Sequence, residues 1–202
     1  MESIEILGDE KMKKAEFLEK LENSPIIAAI KKETDLDDLA KADLPFVFVL
    51  NTDIVRLESI VKKLKKQGKF PFVHTDMLTG MASNPIVAEY FYNSFGNTCG
   101  VLTTKNSIVE AAVRRDLRVI QRVFLIDSIS IEANIRSLKR TELDAIEVMP
   151  GVIPKGIRSL KKEMPHLPVI GGGLIETKEE VMDVIKAGGV GISTTKKVLW
   201  TL

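Results

Sequence analysis

Eight short apolar runs, separated by stretches with helical spacing, recur along most of this 202-residue chain. The runs are rich in Val, Ile and Phe and mostly lack strict alternation, which is typical of parallel strands buried on both faces. We therefore expect a parallel sheet whose faces are covered by helices. The predicted strands are residues 26–30, 46–50, 70–76, 100–104, 119–126, 145–149, 169–171 and 190–193.

The stretches between these runs predict the helices. The clearest one has apolar residues at helical spacing from Ile54 to Leu64 and stops at Gly68. Capping boxes at 107–110 and 177–180 indicate where two others begin. The first crossover, at residues 35–42, is short, and the last helix is reduced to residues 196–200.

Eight strand–helix units in succession predict a small (β/α)8 TIM-type barrel with an extra N-terminal helix. We expect one domain, with a helical extension at residues 1–24 and the barrel at residues 25–200. The extra helix, at residues 9–22, would either plug the bottom of the barrel or pack on its side. Eight units in about 180 residues is small for a barrel that usually has about 250 residues. An open doubly wound sheet is the alternative fold.

The segment 168–195 contains the strongest sign of a binding site. Three glycines, 171–173, follow one predicted strand, and hydroxyl residues 193–195 end the next. Glycine lets backbone N–H groups approach an anion closely, and the loops after strands seven and eight of such barrels commonly hold a phosphate. The alternative is two ordinary turns of an α/β protein.

Charged residues lie in or just after the predicted strands. His74 and Asp76 are two residues apart and point to the same side of strand three. Lys105 follows strand four, while Arg122 and Glu147 lie within strands five and six. A buried charge needs a partner, so Arg122 and Glu147 on adjacent strands form a natural ion pair. The pair is either purely structural or part of a mouth in which Lys105 and Arg122 face a phosphorylated small molecule.

An enzyme of the isomerase or aldolase type is the alternative function. A carboxylate base with a lysine would suit either reaction, with Lys105, Asp76 and Glu147 as the working groups. Lys105 lies beyond its strand, however, whereas a Schiff-base lysine is expected within one. The spacing of His74 and Asp76 is weak support for a metal site, and no cluster of His and Cys residues adds to it.

Basic residues concentrate at the ends of the predicted helices, which all reach the face opposite the phosphate site. They either complement the helix dipoles or form a surface for an RNA backbone. The candidate RNA contacts are Lys62, Lys65, Lys66, Arg115 and Arg118.

Composition excludes several classes of protein. The net charge of +1 means that any binding of nucleic acid must come from a local patch. The single cysteine, Cys99, rules out an internal disulfide and is expected in the core. We expect no signal peptide, and no apolar run approaches the ~20 residues that span a bilayer, so the predicted location is cytoplasmic.

The chain resembles the glycerol uptake operon antiterminators, also called glycerol-3-phosphate-responsive antiterminators. The likeness extends over about residues 25–200, and the order of the matching segments makes chance agreement improbable. The segments are VHTDMLTG (73–80), GVLTTKNSIVEAA (100–112), VIQRVFLIDS (119–128), DAIEVMPGVIP (144–154), GGGLIETKEEV (171–181) and STTKKVLW (193–200).

The resemblance implies a small barrel that senses glycerol-3-phosphate, binds a leader mRNA and lets transcription pass a terminator. It implies regulatory binding without turnover, and no cofactor or metal beyond the effector glycerol-3-phosphate. The residues carried over for the phosphate are Gly172, Gly173, Ser193 and Thr194. Those carried over for the rest of the pocket are Asp76, Lys105, Arg122 and Glu147. Ligand binding would either order the loops after strands seven and eight or shift an equilibrium towards a homo-oligomer.

Overall fold

Eight parallel strands close into a barrel in the computed structural model, which describes residues 12–202. Each strand pairs with the next one along the chain, and the eighth pairs with the first. The (β/α)8 prediction is therefore confirmed, and the open sheet is excluded. The strands are β1 Ile26–Ile30, β2 Phe46–Val49, β3 Phe70–His74, β4 Gly100–Thr103, β5 Val119–Phe124, β6 Ala145–Met149, β7 Val169–Gly172 and β8 Gly191–Thr194.

One helix precedes the barrel, and a helix follows each strand. The α-helices are α1 Lys14–Asn23, α2 Asp35–Leu39, α3 Ile54–Lys66, α4 Ile86–Phe95, α5 Asn106–Arg114, α6 Ser128–Leu138, α7 Pro154–Glu163 and α8 Lys178–Lys186. A 3-10 helix, Lys197–Thr201, takes the place of a helix after β8. The part of the predicted N-terminal helix at residues 9–11 lies outside the described residues. No helix within residues 12–202 is both long and apolar enough to cross a bilayer.

Three local features differ from the sequence-based expectation or were not anticipated. Strand β3 ends at His74, so Asp76 lies in a turn of 3-10 helix and not in the strand. The capping box at Thr177–Glu180 is present, but α5 begins at Asn106 without a side-chain cap, so the box at 107–110 was wrong. Two short strands, Thr52–Asp53 and Leu78–Thr79, also pair in parallel beside the barrel.

The barrel interior is divided between apolar and polar side chains. Its lower part, towards the amino ends of the strands, is filled by a cluster that includes Phe46, Phe48, Phe70 and Phe72, whose rings meet edge to face or tilted. A second cluster packs the outer faces of the strands against the helices and includes Cys99, as predicted. The upper part of the interior holds the buried polar groups His74, Arg122, Glu147 and Ser193. The polar part of the interior therefore lies towards the carboxyl ends of the strands.

Helix α1 closes the lower end of the barrel. Phe17 and Leu21 are fully buried and belong to the interior cluster. The ring centroid of Phe17 lies 4.9 Å from that of Phe46 and 5.7 Å from that of Phe72. Of the two placements considered for the extra helix, the plug is therefore the observed one.

Replacing Phe17 with Ala should lower the free energy of unfolding by about 3–5 kcal/mol, since the cavity would open inside the barrel. Urea unfolding followed by circular dichroism measures this. Lys20→Ala on the exposed side of α1 is the matched control and should change the stability by less than about 0.5 kcal/mol. A loss for Phe17→Ala as small as that of the control would mean that α1 is not part of the cooperative core.

Candidate ligand-binding site

A buried ion pair lies at the centre of the barrel mouth. The register of β5 and β6 places Arg122 opposite Glu147. The Nε of Arg122 donates to Oε2 of Glu147 at 2.5 Å, and both side chains are almost completely buried. The predicted pair is confirmed. Each charge compensates the other, because an isolated ion at this depth would be strongly destabilising.

Strands β7 and β8 complete the surroundings of the Glu147 carboxylate. Ser193 donates its hydroxyl to Oε1 of Glu147 at 2.5 Å. On β7, a Cβ at Gly172 would overlap the same carboxylate and lie 2.8 Å from its Cδ. Only glycine leaves room for Glu147 here. Two residues expected to hold a phosphate therefore also contact the ion pair.

Gly173 and Thr194, the other two residues expected to hold a phosphate, lie at the carboxyl ends of β7 and β8. Thr194 donates its hydroxyl to the carbonyl of Ile175 at 2.8 Å and accepts from the N–H of Lys196 at 3.0 Å. Gly173 has a φ of +74°, a left-handed conformation that disfavours residues with a Cβ. Glycine at 173 is thus required by the backbone conformation, while the Thr194 hydroxyl is used within the chain.

Asp76 fastens the loop after β3 to the end of β4. Its carboxylate accepts from the Thr103 hydroxyl at 2.7 Å, from the N–H and hydroxyl of Thr104 at 2.6 and 2.8 Å, and from the Ser83 hydroxyl at 3.0 Å. Burial acts to raise the pKa of Asp76, but the hydrogen bonds from Thr104, Thr103 and Ser83 together outweigh it and lower the pKa. Asp76 is therefore a saturated, ionised anchor.

Lys105 serves the same loop from its outer side. Its Nζ donates to the carbonyl of Ser83 at 2.8 Å in an exposed position. Ser83 thus contacts both Asp76 and Lys105. Of the predicted pocket residues, Asp76 and Lys105 therefore lie together at one edge of the mouth. Arg122 and Glu147 lie together inside it.

His74 lies in the mouth, although it is not among the pocket residues predicted from the sequence. It is 5% exposed, and its Nδ1 is buried and makes no hydrogen bond to another described residue. Burial lowers the pKa of His74, and the Arg122 cation lowers it further, against the opposing effects of Asp76, Glu147 and the backbone of His74 itself. The sequence shows that His74 lies two residues from Asp76, but only the structure shows that its Nδ1 has no partner in another described residue.

The charged groups of the mouth do not assemble into a metal centre. Within residues 12–202, no three side chains of His, Cys, Asp or Glu come together in a group that could hold a metal ion. The cations at the mouth are the guanidinium of Arg122 inside it and the ammonium group of Lys105 at its edge.

The candidate RNA contacts differ widely in their exposure. Arg118 is only 11% exposed and binds Asp144 at 2.5 Å and Asp116 at 3.1 Å, which gives it a structural role. Arg115 pairs with Glu89 across two helices. Lys62 is exposed and pairs with Glu58 on the same helix, and Lys65 and Lys66 are exposed at the end of α3.

These features define a (β/α)8 barrel with a buried cation at the carboxyl ends of its strands, where barrels of this kind bind their ligands. The family model described as "Glycerol-3-phosphate responsive antiterminator" matches residues 26–200. The chain belongs to this family.

Individual relatives agree with that assignment. The uncharacterized protein YgcP of Escherichia coli K12 is 35% identical over 186 residues, which cover 92% of this chain and 96% of YgcP. A glycerol uptake operon antiterminator regulatory protein from Listeria monocytogenes is 30% identical with a TM-score of 0.82, covering 88% of this chain and 95% of that one. A related protein from Thermotoga maritima is also 30% identical, with a TM-score of 0.77, covering 87% of this chain and 96% of that one.

The buried pair should show strong energetic coupling. Glu147→Gln leaves the Arg122 cation unpaired and Arg122→Met leaves the Glu147 anion unpaired, so each should cost about 3–5 kcal/mol of unfolding free energy. The double variant removes both charges and should cost about 2 kcal/mol less than the sum of the single losses. Urea unfolding of the four proteins measures the coupling.

The exposed pair of Lys62 and Glu58 is the control for this cycle. The corresponding variants Lys62→Met and Glu58→Gln should show a coupling of less than about 1 kcal/mol. Additive losses at Arg122 and Glu147 would contradict the assignment of a charge-compensated buried pair.

Proposed function

We propose that this protein is a glycerol-3-phosphate-responsive antiterminator. It binds glycerol-3-phosphate at the barrel mouth and, in that form, binds a leader mRNA and lets transcription pass a terminator ahead of glycerol-uptake genes. Membership of the family supports the proposal. The observation that carries it is the buried guanidinium of Arg122, because its terminal nitrogens hydrogen-bond to no residue between 12 and 202.

A phosphate group suits this guanidinium. Glu147 occupies Nε, which leaves Nη1 and Nη2 of Arg122 to face a ligand. The planar guanidinium matches phosphate oxygens through parallel N–H groups. Gly172 ends β7 and Gly173 begins the loop that follows it, and at glycines backbone N–H groups can approach the same anion. Ser193 and Thr194 support the site by holding Glu147 and the Ile175 loop in place.

Binding without turnover fits the mouth better than catalysis does. The alternative, a phosphate-ester isomerase or aldolase, would use Lys105, Asp76 and Glu147 as working groups. Lys105 instead donates to a backbone carbonyl at the outer edge, and Asp76 is saturated by four hydrogen bonds. Glu147 is held by Arg122 and Ser193. The two carboxylates are therefore engaged within the chain, and Lys105 lies at the outer edge of the mouth, away from the buried pair.

The leader RNA is proposed to contact the exposed basic end of α3. Lys62, Lys65 and Lys66 are exposed on the face opposite the ligand site. Arg115 can contribute from α5, since it remains partly exposed in its pair with Glu89. Arg118 does not belong to this surface, because it is buried against Asp144. Action on a nascent transcript places the protein in the cytoplasm.

Calorimetric titration with glycerol-3-phosphate should show binding with no product formed, and inorganic phosphate and glycerol should bind at least about tenfold more weakly. The double variant Arg122→Met/Glu147→Gln removes the cation without leaving a buried charge. It should lose about 10- to 100-fold in affinity, as expected for hydrogen bonds to a charged group.

Lys62→Met/Glu58→Gln, which removes an ion pair remote from the mouth, is the matched control and should keep the wild-type affinity. If the Arg122→Met/Glu147→Gln variant bound glycerol-3-phosphate as tightly as this control, Arg122 would not be the phosphate ligand.

Reversing the charges of Lys65 and Lys66 to Glu should weaken binding to the leader transcript of a glycerol-uptake operon, measured with saturating glycerol-3-phosphate. If both lysines contact phosphates of single-stranded RNA, the slope of log affinity against log salt should flatten by about 1.4. Lys155→Glu/Lys178→Glu makes the same change in net charge at exposed sites near the mouth. Unchanged affinity and slope in the Lys65/Lys66 variant would leave dipole complementation as the only role of these residues.

A further inference from the structure

The Nδ1 of His74, like the terminal nitrogens of Arg122, has no hydrogen-bond partner in another residue of 12–202. Its side chain follows Phe70 and Phe72 at two-residue spacing on β3, so all three point into the barrel. The phenylalanines fill the apolar part, and His74 is the next inward residue above them. His74 is only 5% exposed, and its Nδ1 makes no hydrogen bond to another described residue.

A buried imidazole nitrogen without a partner is destabilising, so its retention needs a reason. Buried polar groups are almost always hydrogen-bonded, and leaving one unsatisfied costs about as much as a hydrogen bond contributes. The other polar groups nearby follow this rule, since Asp76, Glu147 and Ser193 all have partners within the chain. A leucine or phenylalanine at position 74 would simply extend the apolar core.

The electrostatic surroundings keep this imidazole neutral. The charged groups that act on it are Arg122, Asp76 and Glu147, and burial together with the Arg122 cation lowers its pKa. At neutral pH the ring therefore has one N–H donor and one nitrogen acceptor and no charge. A hydroxyl group has the same two capacities, whereas a phosphate requires donors and is better matched by Arg122.

We propose that His74 is a specificity-determining residue that hydrogen-bonds a hydroxyl of the ligand whose phosphate is held by Arg122. The barrel then selects hydroxylated phosphate esters over alkyl phosphates and over phosphate itself. The inference rests on the proposed function, since it assigns the second half of the same ligand. It divides recognition between a cation for the anionic end and a neutral ring for the polyol end.

The test compares two ligands that differ in their hydroxyls. Glycerol-3-phosphate and propyl phosphate are titrated calorimetrically into the wild-type protein and into His74→Phe, which has a similar volume and joins the phenylalanines below. The wild type should prefer glycerol-3-phosphate by about tenfold or more, the size expected when a polar group loses its partner. His74→Phe should lose most of this preference and keep its affinity for propyl phosphate.

His74→Asn is the conservative variant, because its amide nitrogen or oxygen replaces Nδ1, and it should retain part of the preference. Urea unfolding verifies that each variant is folded, and His74→Leu takes the place of His74→Phe if the latter is not. An unchanged preference in the folded apolar variant would overturn the role of His74 while leaving the proposed function standing. Failure of the wild type to bind either ester better than inorganic phosphate would overturn both.

Discussion

A carboxylate and a guanidinium are buried together inside this barrel, and neither could remain there alone. Glu147 accepts from Arg122 on β5 and from Ser193 on β8, and Gly172 on β7 leaves the space that the carboxylate fills. One acidic side chain on β6 thus determines the inward residue on three other strands. The upper interior behaves as a unit, since a change at any of these positions leaves a buried charge without its partner, a carboxylate oxygen without its hydrogen bond, or a steric overlap.

The hydrogen bonds of the mouth separate groups that build it from groups that face a ligand. Asp76 and Thr194 have their side-chain oxygens engaged within the chain and fasten loops to strands. The terminal nitrogens of Arg122 and the Nδ1 of His74 have no such partners among residues 12–202. Leaving a buried polar atom unpaired is destabilising. Unpaired hydrogen-bonding groups therefore indicate which residues contact a ligand better than charge or position alone does.

The sequence predicts the barrel well because strands buried on both faces must be apolar throughout, and each predicted run overlaps one barrel strand. It also predicts the pair of Arg122 and Glu147, since buried charges on neighbouring strands need each other. It does not predict the partners of Asp76, because they come from the end of β4 and from Ser83 further along the loop after β3. Nor does local spacing reveal that Arg118 pairs with Asp144, 26 residues further along the chain. The sequence also misplaces the start of α5. The N–H of Lys105 donates to the Thr103 hydroxyl, and the helix begins at Asn106, ahead of the capping box expected at 107–110.

A ligand can favour an RNA-binding state only if it binds that state more tightly than the alternative. The loops after β7 and β8 are joined by Thr194 and by the 2.8 Å ion pair of Lys196 with Glu176. A phosphate on Arg122 would instead add a second anion beside Glu147, in surroundings of low dielectric where like charges repel strongly. Glu147 is tied to β8 through Ser193. Under the proposed function, a bound phosphate would therefore change the charge balance at the ion pair, and a difference in affinity between the two states can arise there.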